Sequence, residues 1–225
     1  MQKKRTYDKI YPVKKMYKNV EKAVELLKKE YPDAECSLTN TDPFELLVAV
    51  RLSAQCTDKR VNMVTPALFK ALPNAKAFSE APVGVIENYI KSCGLYKTKA
   101  KDLKAMSIML LNKFDGKVPD DIDLLTTLPG VGRKTANLIC GDIYNKPAVV
   151  CDTHFIRLCN RLGFVNSTNP LVVEKEMRKK LPPDESNNFC HRTVLHGRAV
   201  CTARSPKCEI CVLKDICKNK EIRQK

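Results

Sequence analysis

The segment Leu128-Pro-Gly-Val-Gly-Arg-Lys134 runs directly into Thr135-Ala-Asn-Leu-Ile-Cys140, and it constrains the fold more than any other part of the chain. It sets a tight glycine turn at the mouth of an apolar helix. Gly130 and Gly132 let the backbone approach a neighbour more closely than residues carrying a Cβ could. The exposed N–H groups of a helix start, reinforced by the helix dipole, form a site for an anion. Lys134 falls in the first turn of that helix, the end where positive charge is unfavourable. Folding alone gives no reason for a lysine there. Ile122-Asp-Leu-Leu-Thr-Thr-Leu128 reads as a short helix leading into the turn. Two helices joined in this way would aim the turn's N–H groups at one phosphate, without regard to base identity. A tight helix–helix corner with glycines for packing is the alternative reading.

A phosphate partner fits the charge. The 225 residues carry 40 Lys and Arg against 25 Asp and Glu, a formal net charge of +15, which suits a polyanion. Solubility alone is the plainer use of such a surface. No apolar run approaches the ~18 residues that a membrane span needs, so no membrane association is expected. Residues 1–15 form a basic arm, and the stretch from Met1 to Lys18 has no apolar core of the kind a secretory signal carries. An organelle presequence would be Ser- and Arg-rich rather than Lys-rich; an arm that touches the phosphates of a polyanion is the alternative reading, and the sequence does not choose its role. A cytoplasmic, nucleoid-associated location is expected, or an organelle or nucleus in a eukaryote.

The remainder reads as helix. Tyr17, Val20, Val24 and Leu27 mark one face of a helix over 17–29. Asp42 is placed to cap, and Pro43 to open, a helix over 44–52. Further helices are expected over 61–72, 83–91, 97–113, 122–127, 134–144, 153–162, 171–181 and 187–199. Pro73-Asn74, Gly94, Gly116 and 166–170 punctuate them. Ala148-Val-Val-Cys151 has extended character but is too short to seed a sheet. The expected class is all-α.

Eleven cysteines without an export signal argue against a disulfide scaffold. Cys36, Cys56, Cys93, Cys140, Cys151, Cys159 and Cys190 are scattered, mostly among apolar neighbours, and read as small core residues. Cys201, Cys208, Cys211 and Cys217 crowd into the tail with spacing C-x6-C-x2-C-x5-C. Four thiolates in so short a segment suit tetrahedral zinc or an iron–sulfur cluster. Zinc ribbons usually pair two short knuckles, and only one C-x2-C occurs here. The loop between the first two cysteines carries Arg204 and Lys207, which a pinned loop would present to phosphates. Stapling a tail too short for its own core is the plainer use.

An amine is a nucleophile only when unprotonated. Arg133 and the positive end of a helix dipole would both favour the neutral form of Lys134. Asp152 precedes the amphipathic run 153–162 and is most simply an N-cap. Capping would also hold its carboxylate rigid and ionised. His154, His191 and His196 lie in helical runs and are given no catalytic role; His191 and His196 are candidates to orient side chains near the cysteine tail.

Leu128-Pro-Gly-Val-Gly-Arg-Lys-Thr-Ala-Asn137 resembles the helix–hairpin–helix of the endonuclease III family of iron–sulfur DNA repair glycosylases. The likeness continues through Leu52-Ser-Ala-Gln-Cys-Thr-Asp58, Gly94-Leu-Tyr96, Val150-Cys-Asp-Thr-His154, Leu195-His-Gly-Arg198 and the cysteine tail, in family order. The resemblance implies two helical lobes with a DNA groove between them. One, 36–147, would be a six-helix barrel carrying the hairpin at about 120–144. The other would combine 16–35 with 148–225 and hold a [4Fe–4S] cluster on Cys201, Cys208, Cys211 and Cys217.

The resemblance also implies roles. Lys134 would be the nucleophile, and Asp152 would face it and support the sugar's positive charge or its proton transfers. The turn residues Gly130, Val131, Gly132 and Arg133 would hold the phosphate backbone. Bases inside a duplex are unreachable, so the nucleotide must be extruded. Gln55 and Leu95 would fill and wedge the emptied stack, an apolar wedge suiting that task. On residue type alone, Leu95 is an ordinary core leucine and Gln55 a surface amide. The implied activity is that of a bifunctional glycosylase and abasic-site lyase acting, as a monomer, on oxidised pyrimidines in duplex DNA. The rivals are a monofunctional mismatch glycosylase of the same fold, which would lack the hairpin lysine, a non-catalytic iron–sulfur DNA-binding sensor, and a zinc-stabilised DNA-binding module.

Overall fold

The computed structural model describes residues 18–218. The expected basic arm and the first residue of the expected 17–29 helix lie outside them. Among the described residues there are eleven α-helices, three short 3-10 turns and no strand. Two compact units divide the chain, one formed by Cys36–Asn145 and the other by the segments on either side of it. No helix among the described residues is long and apolar enough to cross a membrane.

The Cys36–Asn145 unit is built around α2 (Pro43–Ser53). Its sequence PFELLVAVRLS is apolar on nearly every side, and Phe44, Leu46, Leu47, Val48, Ala49 and Leu52 are all buried. A helix of that kind has to sit in the middle of a core. Asp42 starts it, accepting hydrogen bonds from the N–H groups of Phe44 (2.7 Å) and Glu45 (3.0 Å), with Pro43 in the first turn. Around α2 pack α3 (Asp58–Ala71), α6 (Tyr96–Phe114) and α8 (Arg133–Asp142). The short helices α4 (Ala75–Glu80) and α5 (Val83–Ile90) pack on α6, and α7 (Ile122–Leu125) packs on α8. Phe44 and Phe78 meet edge to face at 5.4 Å, a favourable arrangement of ring quadrupoles.

Most helix bounds fall within a few residues of those expected. The exception is α4, which follows Pro73-Asn74 where only a turn was expected. Asn74 caps it by accepting from the Ala77 N–H, and six residues, AKAFSE, show no periodic stripe. Tertiary burial of Ala75 and Phe78 holds it in place.

In the other unit, α1 (Lys18–Glu30) buries Val20, Ala23, Val24 and Leu27. It packs on α11 (Ser186–Ala199), which also packs on α9 (Thr153–Arg161); α10 is Pro170–Lys180. Phe155 of α9 and Phe189 of α11 are fully buried in edge-to-face contact. Burying a side chain of this size contributes about 2–3 kcal/mol each. The segment 148–151 is buried to partly buried without forming a strand.

Candidate nucleic-acid interface and active site

The glycine turn lies between α7 and α8. Successive turn bonds close it: Thr127 N–H to Leu124 C=O, Leu128 N–H to Leu125 C=O, and Val131 N–H to Leu128 C=O, each 3.1 Å. Leu125, Leu128 and Val131 join the core. Val131 is only 6% exposed, so its side chain and its N–H both serve the hairpin from within. The two glycines differ. Gly130 has φ +74°, and a Cβ there would lie 2.5 Å from Arg51 Nε and 3.0 Å from Asp102 Cβ. Arg51 Nε donates to Asp102 Oδ2 at 3.0 Å. Gly130 is therefore required by its own protein. A Cβ on Gly132 would meet nothing within 4 Å.

Gly132 is the N-cap of α8 and supplies no capping side chain. The first turn of α8 accordingly keeps its N–H groups available to an acceptor from outside, the condition for an anion site. Arg133 is exposed and lies 3.7 Å from Asp123. Lys134 is exposed, at the second position of α8.

Gln55 and Leu95 share this unit. Each is exposed, and each has a left-handed backbone, with φ +53° and +47°. Leu95 is 56% exposed, unlike an ordinary core leucine. A left-handed conformation costs a side-chain-bearing residue about 1–3 kcal/mol and is held only where surroundings demand it. The two turns lie side by side, since a Cβ on Gly94 would sit 3.7 Å from the Gln55 carbonyl oxygen.

Behind them is Lys99, fully buried. Its Nζ donates to the carbonyls of Leu52 (2.7 Å) and Cys93 (2.6 Å). Burial pushes this amine below the usual lysine range, while the nearby thiols of Cys56 and Cys93 pull the other way. The sequence reading missed Lys99. Its signal was present: it occupies the buried stripe Lys99, Leu103, Met106 and Leu110 of α6, where the helical period calls for an apolar residue.

In the other unit, Asp152 is the N-cap of α9, with Oδ1 accepting from Phe155 N–H at 2.7 Å. The plain reading of Asp152 as a cap is thus realised, with only one carboxylate oxygen engaged in that bond. One and two turns later, Arg157 and Arg161 hold the tail. Arg157 Nη2 donates to the carbonyls of Gly197 and Cys201, both at 2.9 Å. Arg161 donates to Cys201 Sγ (3.1 Å), Thr202 C=O (2.7 Å) and Ala203 C=O (2.9 Å). The loop that follows closes through Lys207 N–H to Val200 C=O, leaving Arg204 and Lys207 exposed.

Cys201, Cys208, Cys211 and Cys217 are partly buried free thiols. Burial first, and then the other three cysteines of the tail, push Cys211 up to about 11. Four mutually repelling thiolates call for a strong positive charge among them. Arg161 beside Cys201 and His196 Nε2, 3.3 Å from Cys211 Sγ, add the hydrogen-bonding surroundings common at cluster thiolates. His196 is itself buried and reaches Tyr31 Oη through Nδ1 at 3.2 Å. Among the described residues, no group of three or more His, Cys, Asp or Glu side chains is placed to hold a single metal ion. The donor set fits an iron–sulfur cluster. Elsewhere, burial raises Cys36 and Cys151 to about 12 and Cys93 to about 11, as suits inert structural thiols.

The class follows from comparison with known proteins. Residues 48–183 match the HhH-GPD superfamily of base excision DNA repair proteins. Residues 201–217 match the iron–sulfur binding domain of endonuclease III, and the cofactor of the chain is a [4Fe–4S] cluster. Endonuclease III of Synechocystis sp. is 44% identical over 209 residues, spanning 91% of this chain and 95% of the relative. That of Bacillus subtilis is 40% identical over 209 residues, spanning 92% and 95%. A trapped endonuclease III–DNA covalent intermediate, in an estranged-adenine complex, superposes with a TM-score of 0.87 at 40% identity, covering 93% of this chain and all of that one. The chain belongs to the endonuclease III family.

Proposed function

We propose that the chain binds duplex DNA through the hairpin and cuts it at damaged sites with Lys134 as nucleophile. It is a bifunctional DNA glycosylase and abasic-site lyase of base excision repair. The observation that carries the residue assignment is the start of α8: an N-terminus without a capping side chain, an unencumbered Gly132, and an exposed lysine at the second position.

The backbone N–H groups of the first α8 turn bind a DNA phosphate, and Arg133 adds charge; neither contact reads the base. Gln55 and Leu95 occupy the space left by an extruded nucleotide. Lys134 Nζ, unprotonated, forms a bond to the sugar C1′ as the bond to the base, or to the hydroxyl of an existing abasic site, breaks. Opening of the ring gives a Schiff base. Loss of a C2′ proton then expels the 3′ phosphate with the electron pair of its C–O bond, and hydrolysis of the imine returns the amine. Asp152, held by its own cap hydrogen bond, supplies the carboxylate that supports the sugar's positive charge or carries the protons. Cys201, Cys208, Cys211 and Cys217 would hold the cluster, which would staple the tail, and the loop so pinned would present Arg204 and Lys207 to the phosphate backbone. The trapped DNA covalent intermediate of a relative at 40% identity supports a covalent route.

Oxidised pyrimidines are the proposed bases and a monomer the proposed working state, with the protein resident wherever the genome is. The test is borohydride trapping on a duplex with an abasic site. The parent is expected to form a covalent complex and Lys134→Gln none. Trapping that survives in the variant would remove Lys134 from its role.

A further inference from the structure

Lys99 is the one fully buried lysine among the described residues, and its environment fits no packing purpose. An ammonium taken out of water costs several kcal/mol unless well compensated, and a leucine or methionine would fill the same stripe of α6. The compensation is specific. Leu52 lies in the last turn of α2, where carbonyls have no partner within the helix and carry the negative end of its dipole. Cys93 ends the 3-10 turn Lys91–Cys93. The lysine ammonium closes both exits, at 2.7 and 2.6 Å. Its own backbone N–H donates to the Leu95 carbonyl at 3.0 Å.

Three residues after Leu52 the chain reaches Gln55, and two after Cys93 it reaches Leu95; both are exposed and left-handed. One buried cation thus ties down the chain just ahead of each. We infer that Lys99 is a positioning residue that locks the Gln55 and Leu95 turns together as one preformed wedge for the emptied base stack. This rests on the reading of Gln55 and Leu95 as the wedge. Holding both turns rigid before DNA arrives lowers the ordering cost of insertion, and Lys99 touches neither DNA nor the reacting sugar.

The test compares Lys99→Met with the parent on two abasic substrates, a duplex and a single strand that has no stack to fill. A structural defect would slow both. A loosened wedge is expected to reduce kcat/KM on the duplex on the order of 30-fold and to leave single-strand cleavage within about twofold. A second reading uses a duplex with a non-cleavable abasic analogue opposite 2-aminopurine, whose fluorescence rises when the base is displaced. Lys99→Met is expected to bind without that rise. Equal loss on both strands, or an unchanged rise, overturns the proposal. Gln55→Ala and Leu95→Ala separate the two layers. If they abolish the rise and Lys99→Met keeps it, Lys99 alone is misassigned; if they too keep it, the wedge reading itself has failed. Should Lys99→Met not fold, Lys99→Gln, which drops the charge but retains an amide donor, carries the same comparison with the same outcomes.

Discussion

A Cβ on Gly130 would stand 2.5 Å from Arg51 Nε, in a chain where Arg51 is already fastened to Asp102. Gly132, two residues on, has open space where a Cβ would go. Glycines that look alike in sequence therefore have different employers: the first serves the fold, the second leaves room for something outside it.

Gly130→Ala is expected to destabilise the protein by about 2–3 kcal/mol, from the left-handed φ and the displaced Arg51–Asp102 pair. Gly132→Ala is expected to shift stability by less than about 1 kcal/mol, yet to weaken binding to abasic duplex several-fold. Urea denaturation beside fluorescence-anisotropy titration checks both. Equal stability losses would show that the two glycines do the same work.

Asp152 invites a separation of cap from chemistry. Asn is as good an N-cap as Asp, so Asp152→Asn is expected to keep the Phe155 hydrogen bond and nearly the parent's stability while cutting more than about 100-fold more slowly. Asp152→Ala is expected to lose about 1 kcal/mol of stability besides. If Asp152→Asn retained full activity, the residue would be a cap and nothing more.

How much of this was readable beforehand follows the range of the interactions. The turn 128–134 and the cysteine spacing are local patterns, and so were most helices. What stayed hidden was long-range. Arg51 and Asp102 lie 51 residues apart, so the reason for Gly130 was invisible next to it. Lys99 reaches Leu52 across 47 residues; its place on an apolar stripe was legible, but the carbonyls that its ammonium meets were not. Arg157 and Arg161 gave no sign that they grip the cysteine tail. Gln55 and Leu95 were marked by resemblance, while their left-handed backbones came only with the fold.

The cysteine tail should behave as one unit with its iron. Cys211→Ser is expected to lose the visible thiolate-to-iron absorbance and to lower stability by several kcal/mol, because ligand binding and folding of so small a segment are coupled. Iron content and thermal melting check this. A stable variant that has lost its iron would mean that the tail folds without the cluster.

Lys28, Glu185 and Arg192 join α1 to α11 through a partly buried ion network. Glu185 Oε2 accepts from Arg192 Nη1 at 2.6 Å, and Oε1 accepts from Lys28. Burial raises the Glu185 carboxyl, but the hydrogen bonds and charges of Lys28 and Arg192 outweigh it and leave it below the usual glutamate range. A carboxyl depressed on folding stabilises the fold fully above its unfolded value of about 4.3, and the gain is lost as pH falls through the folded value. Glu185→Gln is therefore expected to cost about 2 kcal/mol at pH 7, largely by leaving Arg192, whose side chain is 5% exposed, without its counter-charge. Below about pH 4 the parent's advantage should shrink. Urea denaturation of both proteins at the two pH values measures it. An advantage that stayed constant with pH would show that the interaction does not depend on the ionised carboxylate.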